Sequence, residues 1–337
     1  MSSIKYTAGR PAWTQRYLAW PLEAAAFIVV LALLATLPRR LAAKVGGALT
    51  GAIGPVLSRQ HARAMRRNLS VAFPGLPERD GLRLQREIWR HFGRVLSTYS
   101  HLPPLLRRPD RGRAVEVEGT EHLNNAAAEG RFILAGAHFG HWELAGCYAA
   151  TQGHKVTALY TPESNPWIDR IIRRLRHKAS AESILIPRGP NAVRRMMEAL
   201  RKPGALFIIV DQRVDDGEWL PFFGRPAQTT TTPARLARRF GCPIVPGRAL
   251  LLPDGRYRLT FFEPLRPDPS RDADADVVAM TVALNQAFES WIREAPGQWL
   301  CMKRRWPKER KKRLEPSPAG AESRPAEARA PAAGSVD

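Results

Sequence analysis

Residues 135–146, AGAHFGHWELAG, set two histidines, a tryptophan and a glutamate around a glycine, directly after the apolar run Phe132-Ile133-Leu134. A neutral imidazole at His138 can accept a proton from an alcohol. A carboxylate on its other ring nitrogen would fix the tautomer and stabilise the imidazolium that forms. Glu143, in the first turn of the following helix, is the carboxylate expected to do this. Gly140 lets the backbone approach a bulky substrate, and its turn is expected to present N–H groups to an oxyanion. No GxSxG elbow surrounds a serine, and Cys147 falls on a helix face. The chain thus supplies a base but no nucleophile, so the nucleophile is expected to be a substrate hydroxyl attacking an activated acyl group. Two other readings of the hexapeptide stay open. One is a zinc site through His138, His141 and Glu143, as in a metal-dependent hydrolase, although H-x-x-H-x-E matches no familiar zinc spacing. The other is two histidines on an ordinary turn.

The elements around this cluster set its position. From residue 115 onward, strands read at Phe132–Ala135, Val156–Tyr160, Ile184–Pro187, Ala205–Asp211, Pro243–Leu252 and Tyr257–Glu263. Helices read at 143–151, 165–178, 190–201, 232–240 and 275–294. Such alternation predicts an α/β fold with a mixed, mostly parallel sheet flanked by helices. Sites in such folds lie beyond the carboxyl ends of strands, where His138 and the Asp211-Gln212 pair both fall.

Upstream, 59–73 and REIWRHFGRVLSTYSHL read as helices, the latter with Ile88, Phe92, Val95, Leu96 and Tyr99 on one face. The Pro/Arg stretch from Leu102 to Arg113 reads as a connector. Five segments result: a basic N-terminus (1–16), a membrane-anchor region (17–57), a helical region (58–113), the α/β domain (114–307) and a disordered, basic, Pro/Ala-rich tail (308–337).

Tyr17 to Leu37 is apolar apart from Glu23, with Pro21 in its first third, Arg16 before it and Arg39 and Arg40 soon after. That predicts an N-terminal membrane-anchoring helix, either a single span or a helix deep in the interface. The small-residue stretch VGGALTGAIGPVLSRQ is expected to add a second short membrane-associated helix. A net charge of +21, from 52 Lys+Arg against 31 Asp+Glu, implies attraction to polyanions. Three scattered cysteines exclude a disulfide framework and fit a reducing compartment. RNA- or DNA-binding signatures are absent, so a non-catalytic basic binder leaves the histidine cluster idle, and no nucleic-acid partner is expected.

H-x4-[D/E] after a strand resembles the first block of the glycerolipid acyltransferase superfamily. The longer AHFGHWELAG resembles the lipid A biosynthesis acyltransferases of the lauroyl/myristoyl type. LYTPESNPWID (159–169), the stretch 204–246 with Asp211-Gln212 and Pro221-Phe222-Phe223-Gly224, GQWLCMKRRWPK (297–308) and RRNLSVAFPG (66–75) are similar to further blocks in the same order. The resemblance covers roughly residues 15 to 308. It implies a membrane-bound acyltransferase of the bacterial inner membrane, with its catalytic domain on the cytoplasmic face. The implied donor is acyl carrier protein, and the implied acceptor is a hydroxyl of a lipid A precursor or related glycolipid. Neither metal nor organic cofactor is implied. His138 becomes the base, Glu143 its partner and Gly140 the oxyanion turn. His141, Arg188, Asp211, Gln212, Arg213, Phe222 and Phe223 become candidate substrate contacts, the phenylalanines as an acyl-chain wall. Three departures bear on the acceptor: His141 stands at a usual Asn, Thr161 at a usual Arg, and Cys301 and Lys303 at a usual Trp and His. Trp299 and Trp306, among Lys303, Arg304 and Arg305, are candidates for an interfacial belt.

Overall fold

The computed structural model describes residues 13–107, 114–179 and 183–307. The expected tail, most of the basic N-terminus and the second half of the connector lie outside these residues. A π-helical turn (Gln15–Ala19) leads into α1 (Trp20–Thr36), followed by α2 (Arg39–Leu57) and α3 (Arg59–Ala72). Then come α4 (Glu78–Thr98), a 3₁₀ turn (Tyr99–His101) and α5 (Leu102–Arg107), a short helix where a connector was expected. Pro21 lies in the first turn of α1, where the π-helical turn before it passes into regular helix, so it does not end the helix.

The remainder alternates as β1 (Val115–Glu118), α6 (Thr120–Ala128), β2 (Arg131–Gly136), α7 (Glu143–Thr151), β3 (Val156–Tyr160), α8 (Pro166–Ala179), β4 (Ile184–Pro187), α9 (Ala192–Leu200) and β5 (Gly204–Ile209). The hairpin β6 (Glu218–Phe222) and β7 (Arg225–Thr229) follows, then α10 (Thr232–Phe240), β8 (Ile244–Leu251), β9 (Tyr257–Phe261) and α11 (Ala273–Glu294). The seven-stranded sheet runs β1-β9-β8-β2-β5-β3-β4, and only β8–β9 pairs antiparallel within it. This is the mixed, mostly parallel sheet expected.

β2 sits mid-sheet between β5 and β8, and its residues from Phe132 to Gly136 are all buried. A strand covered on both faces needs such an unbroken apolar run. Ile133 and Ala135 face a layer that includes α3, α9, α10 and α11. Phe132 and Leu134 face the opposite layer with α5, α6 and α7. α4 serves both layers, through Ile88 and Trp89 on one side and Val95 on the other, where Tyr99 of the 3₁₀ turn joins it. Asn165, in the loop after β3, donates to the Trp20 carbonyl and to Glu23, fastening the start of α1 near the strand ends.

Candidate active site

Neighbouring strands with matched register deliver neighbouring residues beyond their ends. β2 and β5 pair from Arg131↔Gly204 to Gly136↔Ile209, and the Val210 N–H continues the ladder to Gly136 O. His138 and Asp211 each follow two residues later and meet. The Asp211 Oδ1 accepts from His138 Nδ1 at 2.7 Å and from the His138 backbone N–H at 3.0 Å. Its Oδ2 accepts from the buried Trp299 indole N–H at 3.1 Å. Asp211 is buried, which by itself would raise its pKa. The His138 ring beside it and the hydrogen bonds it accepts hold it below the usual carboxylate range. With Nδ1 donating to Asp211, His138 presents Nε2 as an acceptor, with Gln212 Nε2 at 3.4 Å. The His138 side chain is 24% exposed against 2% for Asp211, so the dyad opens outward from its buried member.

The partner on His138 Nδ1 is therefore Asp211, where Glu143 was expected. Glu143 starts α7 and turns its carboxylate toward the opposite layer. There it accepts from Tyr99 Oη at 2.9 Å, Trp142 Nε1 at 3.2 Å and both Nε and Nη2 of Arg176 in α8, the last at 2.5 Å. Burial would raise its pKa, but the Arg176 guanidinium and the Tyr99 hydroxyl hold it low, while Arg176 and Tyr99 are both shifted up. A buried carboxylate requires a cation, yet nothing in RIIRRLRHK singles out Arg176 from its neighbours. Cys147, one turn further along α7, is pushed up to about 12 by burial, which keeps it a thiol.

Between the two carboxylates the chain makes the turn that the glycine allows. Gly140 has φ +55°, and a Cβ there would lie 1.8 Å from the Ala249 carbonyl oxygen. Its N–H donates to Gln298 O, and its carbonyl accepts from His91 Nε2. Gly140 is thus a point of close strand approach whose amide is already spent, which corrects its expected role as an oxyanion donor. His141 is fully buried, with its ring 5.4 Å from that of Tyr257 and 6.0 Å from that of Tyr99. Neither ring nitrogen has a hydrogen-bond partner, and burial lowers its pKa to about 4. It is neutral packing, apart from the His138 ring's open edge. Among the described residues no three His, Cys, Asp or Glu side chains converge as a metal site would require.

The remaining candidates divide. Gln212 is at the site. Arg213 is paired with Asp215, and Phe222 is fully buried against Trp299 and Trp306. Phe223, at φ +52°, stacks on Trp299 and receives the Arg293 guanidinium on its ring. Phe222 is therefore core, and Phe223 backs the Trp299 indole. Trp299 and Trp306 are 1% and 4% exposed, so they form no interfacial belt; they lock the C-terminal segment into the site. Leu300 N donates to His138 O, and the Asn68 side chain of α3 donates to Cys301 O and Lys303 O. Lys303 is held below the usual lysine range by burial and by Arg188, which is exposed on the loop after β4.

The chain is similar to known proteins along most of its length. The chain is 24% identical over 281 residues, 81% of its length, to the lipid A biosynthesis acyltransferase of Haemophilus influenzae, of which 84% is covered. It is 27% identical over 228 residues to the phosphatidylinositol mannoside acyltransferase of Mycobacterium tuberculosis, covering 65% of this chain and 66% of that one. The family profile described as bacterial lipid A biosynthesis acyltransferase matches residues 13–308 and spans every strand and helix described above. An imidazole backed by a buried carboxylate at paired strand ends, on a chain matched this completely, makes this protein an acyltransferase belonging to the bacterial lipid A biosynthesis acyltransferase family.

Proposed function

We propose that the protein moves a fatty acyl group from the thioester of an acyl carrier protein to a hydroxyl of a lipid A precursor or a related glycolipid. His138 acts as the base, and Asp211 orients it. The observation that carries this reading is the 2.7 Å contact between His138 Nδ1 and a carboxylate that is 2% exposed. It fixes the tautomer whose Nε2 can take a proton. The acceptor hydroxyl attacks the thioester carbonyl as its proton passes to Nε2. The tetrahedral intermediate collapses with C–S cleavage, and the imidazolium returns the proton to the leaving thiolate. The ester and the free carrier thiol are the products. The Gln212 carboxamide, beside Nε2, is the side-chain donor placed to meet the oxyanion. Glu143 and Arg176 act at a distance, fixing the start of α7 and hence the turn that carries His138.

A net charge of +21 supports an acidic carrier protein as donor and an anionic membrane as workplace. A helix long and apolar enough to cross a bilayer supports the inner membrane, with the site on the cytoplasmic face where acyl thioesters are made. The test supplies purified full-length protein with acyl carrier protein or coenzyme A thioesters and a lipid A precursor, and follows acylated lipid by mass spectrometry. Product from the carrier thioester, lost in His138→Ala, supports the reading; transfer from coenzyme A alone overturns the donor, and transfer by His138→Ala overturns the mechanism.

A further inference from the structure

Helix α2 has two faces with opposite tasks. Ala42, Gly46, Gly47 and Gly54 are buried, the three glycines against α4. A Cβ on Gly46 would lie 1.7 Å from Ser97 Oγ, and one on Gly54 2.5 Å from the Trp89 ring. Thr50 adds a bond from its Oγ1 to the Trp89 carbonyl of α4 at 2.8 Å. Missing side chains and an interhelical hydrogen bond bring the two backbones close, so α2 is part of the folded body. The opposite face is unpartnered. Leu41, Val45, Leu49, Ile53 and Val56 recur at helical spacing, each at least 42% exposed, and Leu57 ends the stripe at 77%. Between Arg39 and Phe73 there are seven Lys/Arg and no Asp or Glu. Arg40 and Lys44 are exposed beside the stripe, and Arg59, Arg63 and Arg66 are exposed on α3, which leaves α2 at 98°.

We infer that α2 is a second membrane contact, lying flat in the headgroup region of an anionic bilayer with Leu41 to Leu57 among the acyl chains and the neighbouring basic side chains on lipid phosphates. An apolar stripe flanked by cations with no acidic residue is the pattern of an interfacial helix. The glycine face argues against a crossing, because a helix held to α4 along its length cannot leave the body to span the membrane. The inference is independent of the catalytic reading.

The experiment places single cysteines at Leu41, Leu49 and Leu57 of the full chain, each carrying an environment-sensitive fluorophore, with Asp274→Cys on α11 as an aqueous control. Cys147, Cys242 and Cys301 are buried with raised pKa and label slowly. Phosphatidylglycerol-containing vesicles should blue-shift all three α2 probes but not the control. Shallow spin-labelled lipids should quench the three equally and more than deep ones do. Lys44→Glu with Arg63→Glu should reduce the shift at Leu49, and neutral phosphatidylcholine vesicles should give a smaller one. Three results would overturn the inference: water-like emission at Leu49 while a probe at Ile28 of α1 reports bilayer, depth changing steadily from 41 to 57, or equal shifts in neutral and anionic vesicles.

Discussion

Asp211→Asn tests the site most sharply, because each carboxylate oxygen has a different obligation. Oδ1 accepts from His138 Nδ1 and the His138 backbone N–H, and Oδ2 accepts from Trp299 Nε1. An asparagine offers one acceptor and one donor. With its carbonyl toward His138, its amide meets the indole N–H, donor against donor. With its amide toward His138, Nδ1 must accept, the proton moves to Nε2, and the base is gone. The first arrangement loses a hydrogen bond to a charged group, ~1.5–3 kcal/mol, or about 10- to 150-fold at ~1.4 kcal/mol per decade. The second approaches the ~10⁴-fold that a wrong tautomer costs Ser-His-Asp triads. The expected fall in kcat is therefore at least about tenfold, with KM little changed. Adding Trp299→Phe removes the opposing donor and lets the carbonyl return to His138, so the double variant should outperform Asp211→Asn alone. Initial rates of lipid acylation measure all three, with thermal melting to verify folding. Asp211→Asn turning over within a few-fold of wild type, while Glu143→Gln at unchanged stability is slower, would refute the assignment and restore Glu143 as the partner.

His138→Ala should lose ~10²–10⁴-fold in turnover while melting near wild type, because its partly exposed ring lies outside the core. Glu143→Gln leaves the partly exposed Arg176 charge without its partner, so stability should drop, by less than the ~3–5 kcal/mol of a fully buried pair, in denaturant titration, and adding Arg176→Met should recover most of it. His91 and His141 are held neutral by burial, with pKa values of about 4 against an ordinary 6.5. As pH falls from 6.5 toward 4 the unfolded chain takes up protons the native state refuses. Stability should therefore decline through that window by about 3 kcal/mol per histidine. His141→Asn should flatten the dependence of melting temperature on pH between 6.5 and 4 and keep turnover within a few-fold; an unchanged slope would sink the argument.

What the sequence displayed and what it hid follow from range. β2 through β5 and helices α7 to α10 were legible because unbroken apolar runs and 3.6-residue periodicity are local. β1 (Val-Glu-Val-Glu) alternates as a strand does but is only four residues long, and the β6–β7 hairpin carries three of its ten residues as proline or glutamate, so neither stood out as a strand. The pairing of His138 depended on strand order, a non-local fact. Motif spacing pointed to Glu143, five residues away, whereas register brought Asp211 from 73 residues away. Asp211 was visible as a strand-end carboxylate, but its neighbour was not. The tryptophans near the C-terminus looked interfacial because basic residues surround them. Burial of Arg305 itself, on Phe222 and Thr229, shows that the basic run turns partly inward.

The C-terminal segment gives assembly a direction. Trp299 completes the hydrogen bonds of Asp211, Leu300 bonds the His138 carbonyl, and Asn68 near the other end of the chain grips Cys301 and Lys303. These residues follow every strand of the sheet in chain order, and domains fold from the N-terminus as the chain emerges. A nascent chain can thus form most of its sheet while His138 still lacks its finished setting. The site is complete only when this segment closes on the strand ends, so a chain cut short before Trp299 would carry the sheet without the finished setting of His138.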